Sequence, residues 1–282
     1  YVSYDHEAGR IRGRSYTMSF SPGEDTIYFR AVSIPPSAGG TGQNIVDRLK
    51  IRMHLKTHLF FSLVFDEDDW DSSVRRWIDG PVRVVREVDN ELSFLGVDVA
   101  PRVLVESTFY AEHHAAPTEI RQTVNIPSIA REAWLVSSVD LSEEAKGMRY
   151  YRARSPDQDP WRLIDGAPTE DERGLDPRRP PWHLVVGPQG AMIWRMDLPE
   201  PLAPITRLTF TDDESETDPP ERVPGRIGEI GYRVDLFPLE RGAYRMWTYY
   251  MFPPAWSLGA EQDYQRMIDR PLEVSVRSLG AL

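Results

Sequence analysis

Short runs in which apolar and polar residues alternate recur along nearly the whole chain, and a period of two belongs to strands half covered by a core. The clearest is 102–110, where Val103, Val105, Ser107 and Phe109 fall on one side and Leu104, Glu106 and Tyr110 on the other. Residues 49–65 begin the same way, with Ile51, Met53 and Leu55 against Arg52, His54, Lys56 and His58, and then turn continuously apolar. That pattern predicts a long strand passing from a half-exposed edge into a buried centre, with a helix over 46–61 as the competing reading.

Runs rich in β-branched and aromatic residues extend the series at 10–20, 25–34, 82–88, 119–126, 133–141, 148–154, 182–186, 191–198, 206–211, 227–237, 243–252 and 272–279. Turn chemistry separates them. Ser21-Pro22-Gly23-Glu24 predicts a first hairpin, Pro35 to Gly42 an exposed loop, and Gly187-Pro188-Gln189-Gly190 a compact hairpin connection. Asp79-Gly80-Pro81 opens the 82–88 run and Asp89-Asn90 closes it. The acidic, proline-rich stretch 155–181 reads as a long irregular surface loop. One short helix is expected at 260–269, near the C-terminus, and a helical turn at 142–146.

A dozen or more strands with polar turns and almost no helix predict a mainly β fold: an enlarged antiparallel two-sheet sandwich forming one domain over 1–282. No fixed period repeats, which disfavours propellers and solenoids. Sugar-binding and sugar-processing proteins use sandwiches of this kind, an analogy of fold and not of function.

Composition narrows the partners. The formal charge, 33 − 44 = −11, repels nucleic acid. Positive charge is almost all guanidinium, with only Lys50, Lys56 and Lys146 as lysines, which suits planar ion pairs and stacking on aromatic rings. The absence of cysteine excludes disulfides, thiolate metal sites and cysteine nucleophiles. The apolar runs are too short to span a membrane. A first residue Tyr1 in place of methionine leads us to expect the mature part of an exported protein, periplasmic or extracellular.

Two stretches hold candidate chemistry. Tyr110, Glu112, His113 and His114 sit where the 102–110 strand is expected to run out into a loop ended by Pro117. There Glu112 and a histidine can serve as base and acid or as two metal ligands, and idle polar residues at a strand end are the plain alternative. In the second, Trp247, Tyr249, Tyr250, Phe252 and Trp256 crowd together, and alternation sends Trp247 and Tyr249 to one face and Tyr250 and Phe252 to the other. With Trp70 and Trp77 they are the candidate binding aromatics for a glycan or a protein subunit.

Calcium is the one cofactor the pattern admits. Asp66 and Asp68, and Asp212 and Asp213, lie in segments dense in carboxylate oxygen, although solvated acidic turns explain them equally well. His54 and His58 stand about 13 Å apart on a strand and cannot share an ion. The glycines at 225, 228 and 231 open an expected strand and not a helix, so they offer no phosphate site.

These features predict a non-catalytic exported sandwich that works by binding, either as a binding or structural subunit of an envelope or extracellular assembly or as a recognition module. The alternative is a carbohydrate-binding or carbohydrate-active protein, a lyase or epimerase in which the 110–114 groups move a proton.

Overall fold

The computed structural model describes residues 2–5, 7, 9–19, 30–38, 40–59, 61–94, 96–98, 100–111, 113–122, 130–141, 149–153, 162–163, 182–187, 190–211, 228–237 and 239–252. In chain order the first strands are β1 (Ser3–Asp5), β2 (Arg10–Arg12), β3 (Thr17–Ser19), β4 (Arg30–Ser33), β5 (Asn44–Thr57), β6 (Ser62–Phe65) and β7 (Asp71–Ile78). They continue with β8 (Arg83–Glu91), β9 (Ser93–Phe94), β10 (Val97–Asp98), β11 (Arg102–Tyr110), β12 (His113–Gln122), β13 (Ala130–Leu141) and β14 (Arg149–Ala153). The last are β15 (Arg162–Leu163), β16 (Trp182–Gly187), β17 (Gly190–Asp197), β18 (Thr206–Thr211), β19 (Glu229–Asp235) and β20 (Gly242–Met251).

Among the described residues two nine-stranded antiparallel sheets form, as the alternating pattern of a two-sheet sandwich leads one to expect. The first runs β1-β2-β3-β4-β5-β13-β19-β18, with β6 also on β5; the second runs β15-β14-β16-β17-β20-β12-β11-β8-β7. Strands β9 and β10 form a separate small hairpin. The inward positions of both sheets merge into one apolar core: Ile51, Met53, Leu135 and Val234 from the first, Val88, Val103, Phe109 and Met246 from the second. Tyr232 ties the layers together, its hydroxyl bonding Ser137 in its own sheet and Thr118 and Thr248 in the other, while burial pushes its pKa up to about 12. Among the described residues no helix is long and apolar enough to cross a membrane.

Four local expectations are corrected. Residues 49–65 do not continue into a buried centre: β5 ends at Thr57, whose N–H donates to the Phe61 carbonyl at 2.9 Å, and the chain returns as β6. The apolar run therefore lies at a hairpin tip, with Leu59 75% and Phe61 67% exposed. Residues 10–20 are two strands that pair with each other, closed by the Gly13 N–H on the Tyr16 carbonyl. Asp89 and Asn90 do not end β8 but lie buried within it, because Arg102 binds Asp89 and the Asn90 amide donates to the Val103 carbonyl at 2.8 Å. Pro117 does not end a loop; it lies within β12, paired with Trp247.

The expected helix at 260–269, the strand at 272–279 and the turn at 142–146 fall outside the described residues, as does most of 155–181, where Arg162–Leu163 pairs with β14.

Candidate functional site

The two stretches singled out from the sequence are neighbours in the second sheet. Strand β12 follows Tyr110 after a short turn and pairs with β20 in a register that sets His113 against Met251, His114 against Tyr250, Ala115 against Tyr249 and Pro117 against Trp247. That turn is pinned from the first sheet: the Tyr16 hydroxyl donates to the Tyr110 carbonyl at 2.6 Å, and the Arg14 and Ser15 N–H groups both donate to the Ala111 carbonyl. Tyr110 is buried, and Glu112 lies outside the described residues.

Alternation along β20 divides its aromatics. Tyr250 and Phe252 join the core, while Trp247 and Tyr249 face outward, half-buried. Their rings are near-parallel, 11° apart with centroids at 6.2 Å. The Arg245 guanidinium lies 5.0 Å from the Trp247 ring, and Arg195 on β17 lies 5.1 Å from the Trp182 ring. Tyr249 also packs against a second apolar cluster on this face, Trp182, Leu184, Ala191, Ile193 and Met251. Guanidinium–aromatic contacts of this kind contribute roughly 0.5–1 kcal/mol where exposed and hold the rings in place.

Three carboxylates of this sheet are engaged by guanidinium groups. Arg195 donates to Asp197 at 2.7 Å, Arg121 to Glu119, and Arg76 to Glu106 at 2.9 Å. Farther along the sheet Arg102 grips both oxygens of Asp89, which Arg75 also contacts. Burial pushes the Asp89 carboxyl above its usual range, against the opposing pull of Arg75 and Arg121. The arrangement suits binding: flat rings for the apolar face of a ligand, and fixed donors and acceptors for its hydroxyls.

The remaining candidates lie elsewhere. Trp70 is buried in the core and Trp77 packs inward, its ring 4.4 Å from Tyr4 and its Nε1–H on Asp79 at 2.9 Å. Trp70 and Tyr250 are buried in the core, which corrects their assignment as binding residues, while Trp77 is only partly buried. Trp256, Asp212 and Asp213 fall outside the described residues. Asp66 precedes and Asp68 lies within a short 3₁₀ turn, Glu67–Asp69, where the Asp69 carboxylate accepts the Asp66 N–H at 2.9 Å. Among the described residues no three histidines or acids converge as for a metal.

His54 is a packing residue. Its ring stacks on Trp134 at 5.2 Å, and burial first, then Arg52, Arg233 and Lys56, lowers its pKa from 6.5 to about 4. An imidazole kept neutral in the fold but protonated in the unfolded chain favours unfolding as pH falls from 6.5 toward 4. We expect this to remove about 1–2 kcal/mol of stability, discounted for partial exposure. Urea midpoints at pH 7 and pH 4.5 should differ less in His54→Gln than in the parent; an equal difference would exclude His54 as the source.

Sequence reasoning missed Trp182, Arg195, Arg245 and Glu119. Trp182 and Arg195 lie in the expected strand runs 182–186 and 191–198, but only the register shows that they share a face with Trp247.

No protein-family model matches the sequence, and no curated protein is similar to it in sequence. Among solved structures, an α-mannosidase from Enterococcus faecalis V583 superimposes with a TM-score of 0.50 at 7% identity, over 90% of this chain and 30% of that one. A family GH92 glycosyl hydrolase gives 0.42 at 11% identity, covering 96% and 34%. A Glycoside Hydrolase Family 97 enzyme variant from Pseudoalteromonas sp. strain K8 gives 0.41 at 8%, covering 87% and 36%. The likeness is one of fold, and this chain spans only about a third of the length of those proteins.

Proposed function

We propose that this protein is a non-catalytic β-sandwich that binds a glycan on the outward face of its second sheet, at Trp247 and Tyr249. The observation that carries the reading is the pair of near-parallel, half-buried rings with Arg245 and Arg195 around them and the Arg195–Asp197 and Arg121–Glu119 pairs on the same sheet. A sugar ring has an apolar face that packs on an aromatic plane and a hydroxyl rim that needs such charged donors and acceptors. The α-mannosidase named above makes mannose-containing oligosaccharides the first class to test. A glycan ligand also agrees with the exported location expected from the sequence.

The test is titration calorimetry with a panel of soluble oligosaccharides. Trp247→Ala should weaken binding at least tenfold, about 1.4 kcal/mol, with little change in melting temperature, because the ring stands outside the main core. Full affinity in that variant would remove the reading, and turnover of any oligosaccharide would replace it with the enzyme reading.

A second reading, a subunit of an assembly, draws on the exposed Leu59, Phe61 and Val64 of the β5–β6 hairpin. A monomer mass in sedimentation at all concentrations would count against it.

A further inference from the structure

Edge strands expose unpaired backbone groups, and folded proteins guard them with charge, proline or a bulge. The two described sheets follow that rule at every edge but one. Their terminal strands carry Asp5 in β1, Arg207 in β18, Arg162 in β15, and Arg75 and Arg76 in β7, which is bulged besides. Strand β6, Ser62–Phe65, carries no charge, no proline and no bulge, and among the described residues it pairs on one side only, with β5.

The ladder fixes which groups β6 leaves unpaired. The Thr57 N–H donates to the Phe61 carbonyl at 2.9 Å, so bonded positions alternate from there: Leu55 with Leu63, and Met53 with Phe65. The N–H and C=O groups of Ser62 and Val64 therefore point away from β5. Both residues are exposed, Val64 to 48%, and Leu59 and Phe61 at the hairpin tip extend the same uncharged surface. Leu63 is half-buried against the border of the core.

Charge selects the occupant. At −11 overall, two copies of this chain repel each other, and they approach at least cost where neither bears charge. The hairpin also has a charge direction. Near its tip Lys56 and Arg131 share the single carboxylate of Glu132, an excess of positive charge, while the exposed Asp66, Asp68 and Asp69 follow β6 at the other end. A second copy laid antiparallel sets the acidic end of each chain beside the tip of the other, whereas a parallel one sets acid against acid. A two-fold contact of this kind is self-complementary and closed: the edge that invites pairing is used up by it, so no fibre grows.

We propose that β6 pairs antiparallel with β6 of a second copy about a two-fold axis at Leu63, joining the first sheets of two chains into one continuous sheet. Ser62 of each copy exchanges both backbone hydrogen bonds with Val64 of the other, and the two Leu63 side chains meet at the axis. Phe61 falls opposite Phe65 of the other copy. This pairing rests on the assembly reading, names its partner as the chain itself, and is independent of the Trp247 face.

Sedimentation equilibrium of the parent, Val64→Lys, Ser62→Pro and Phe61→Asp over about 1–300 µM reads the association. The parent should show a concentration-dependent equilibrium between monomer and dimer. Val64→Lys brings a lysine of each copy close to the axis, and Ser62→Pro removes an N–H that faces the second copy. Each should raise the dimer dissociation constant at least tenfold while the dilute monomer melts as the parent does, and Trp247→Ala should dimerise as the parent does. Val64→Lys decides the matter if Ser62→Pro fails to fold, because the Val64 side chain is exposed. The pairing is overturned if Val64→Lys and Ser62→Pro both dimerise within twofold of the parent, or if the parent forms species that grow without limit in place of a dimer. Association lost in Phe61→Asp but kept in those two variants would leave an assembly through the hairpin tip and remove the strand pairing alone. A parent that stays monomeric throughout removes both.

Discussion

A methyl group added at position 231 should destabilise the protein by about 2–3 kcal/mol, the cost of overpacking a rigid interior. Gly231 lies in β19 opposite Ser138 of β13, and a Cβ there would come within 2.5 Å of Ser138 Cβ and 2.6 Å of the Ser137 carbonyl oxygen. These are the backbone of a paired strand and its first side-chain atom, so nothing flexible can swing aside. Strand propensity argues the other way, since alanine or valine fits a pleated strand better than glycine, but that scale spans only about 1 kcal/mol. Steric overlap therefore wins, and Gly231→Val should cost more than Gly231→Ala. Urea denaturation checks this: a lower midpoint at unchanged slope is expected, and parental midpoints in both variants would show that the two strands have room to spare.

Asp140→Ala should cost about 3–5 kcal/mol, because it removes one side of a buried ion pair and leaves the other charge behind. Lys50 and Asp140 are both buried, on adjacent strands of the first sheet, and Arg48 shares the same carboxylate oxygen. Removing both buried charges in Lys50→Met with Asp140→Leu should recover most of the loss, since hydrophobic replacement of a buried pair is often close to neutral. Arg48 is half-exposed and can turn to water. A double-mutant cycle measures the coupling. An Asp140→Ala variant within 1 kcal/mol of the parent would show that the pair carries little.

The strands were legible where alternation was clean. The run at 102–110 matches β11, and 206–211 matches β18, residue for residue. Reading failed where a tertiary partner overrode a local signal. Asp89-Asn90 and Pro117 are ordinary stop signals, yet Arg102 and Val103 satisfy the first pair inside β8, and β20 holds the proline within β12. The apolar run at 59–61 looked like core because a sequence does not say that Thr57 and Phe61 close a turn around it. The site divides the same way. The split of Trp247 and Tyr249 from Tyr250 follows from a period of two, whereas Arg195 and Glu119 come from strands distant in sequence, and only the register brings them beside those rings.

The order in which the chain visits its two sheets bears on how it folds. Strands β1 to β6 build part of one sheet, β7, β8, β11 and β12 begin the other, and β13, β18 and β19 then return to the first between visits of β14 to β17 and β20 to the second. The longest strand, β5, waits for β13, some eighty residues later, to cover its free side. Such non-local pairing closes slowly, because the entropy of large loops is spent before any contact rewards it. During that interval the uncharged segment from Thr57 to Phe65, rich in phenylalanine, leucine and valine and free of proline, is exposed at a strand edge. Misassembly between nascent chains would begin there, and slow synthesis at low temperature favours correct closure over that encounter.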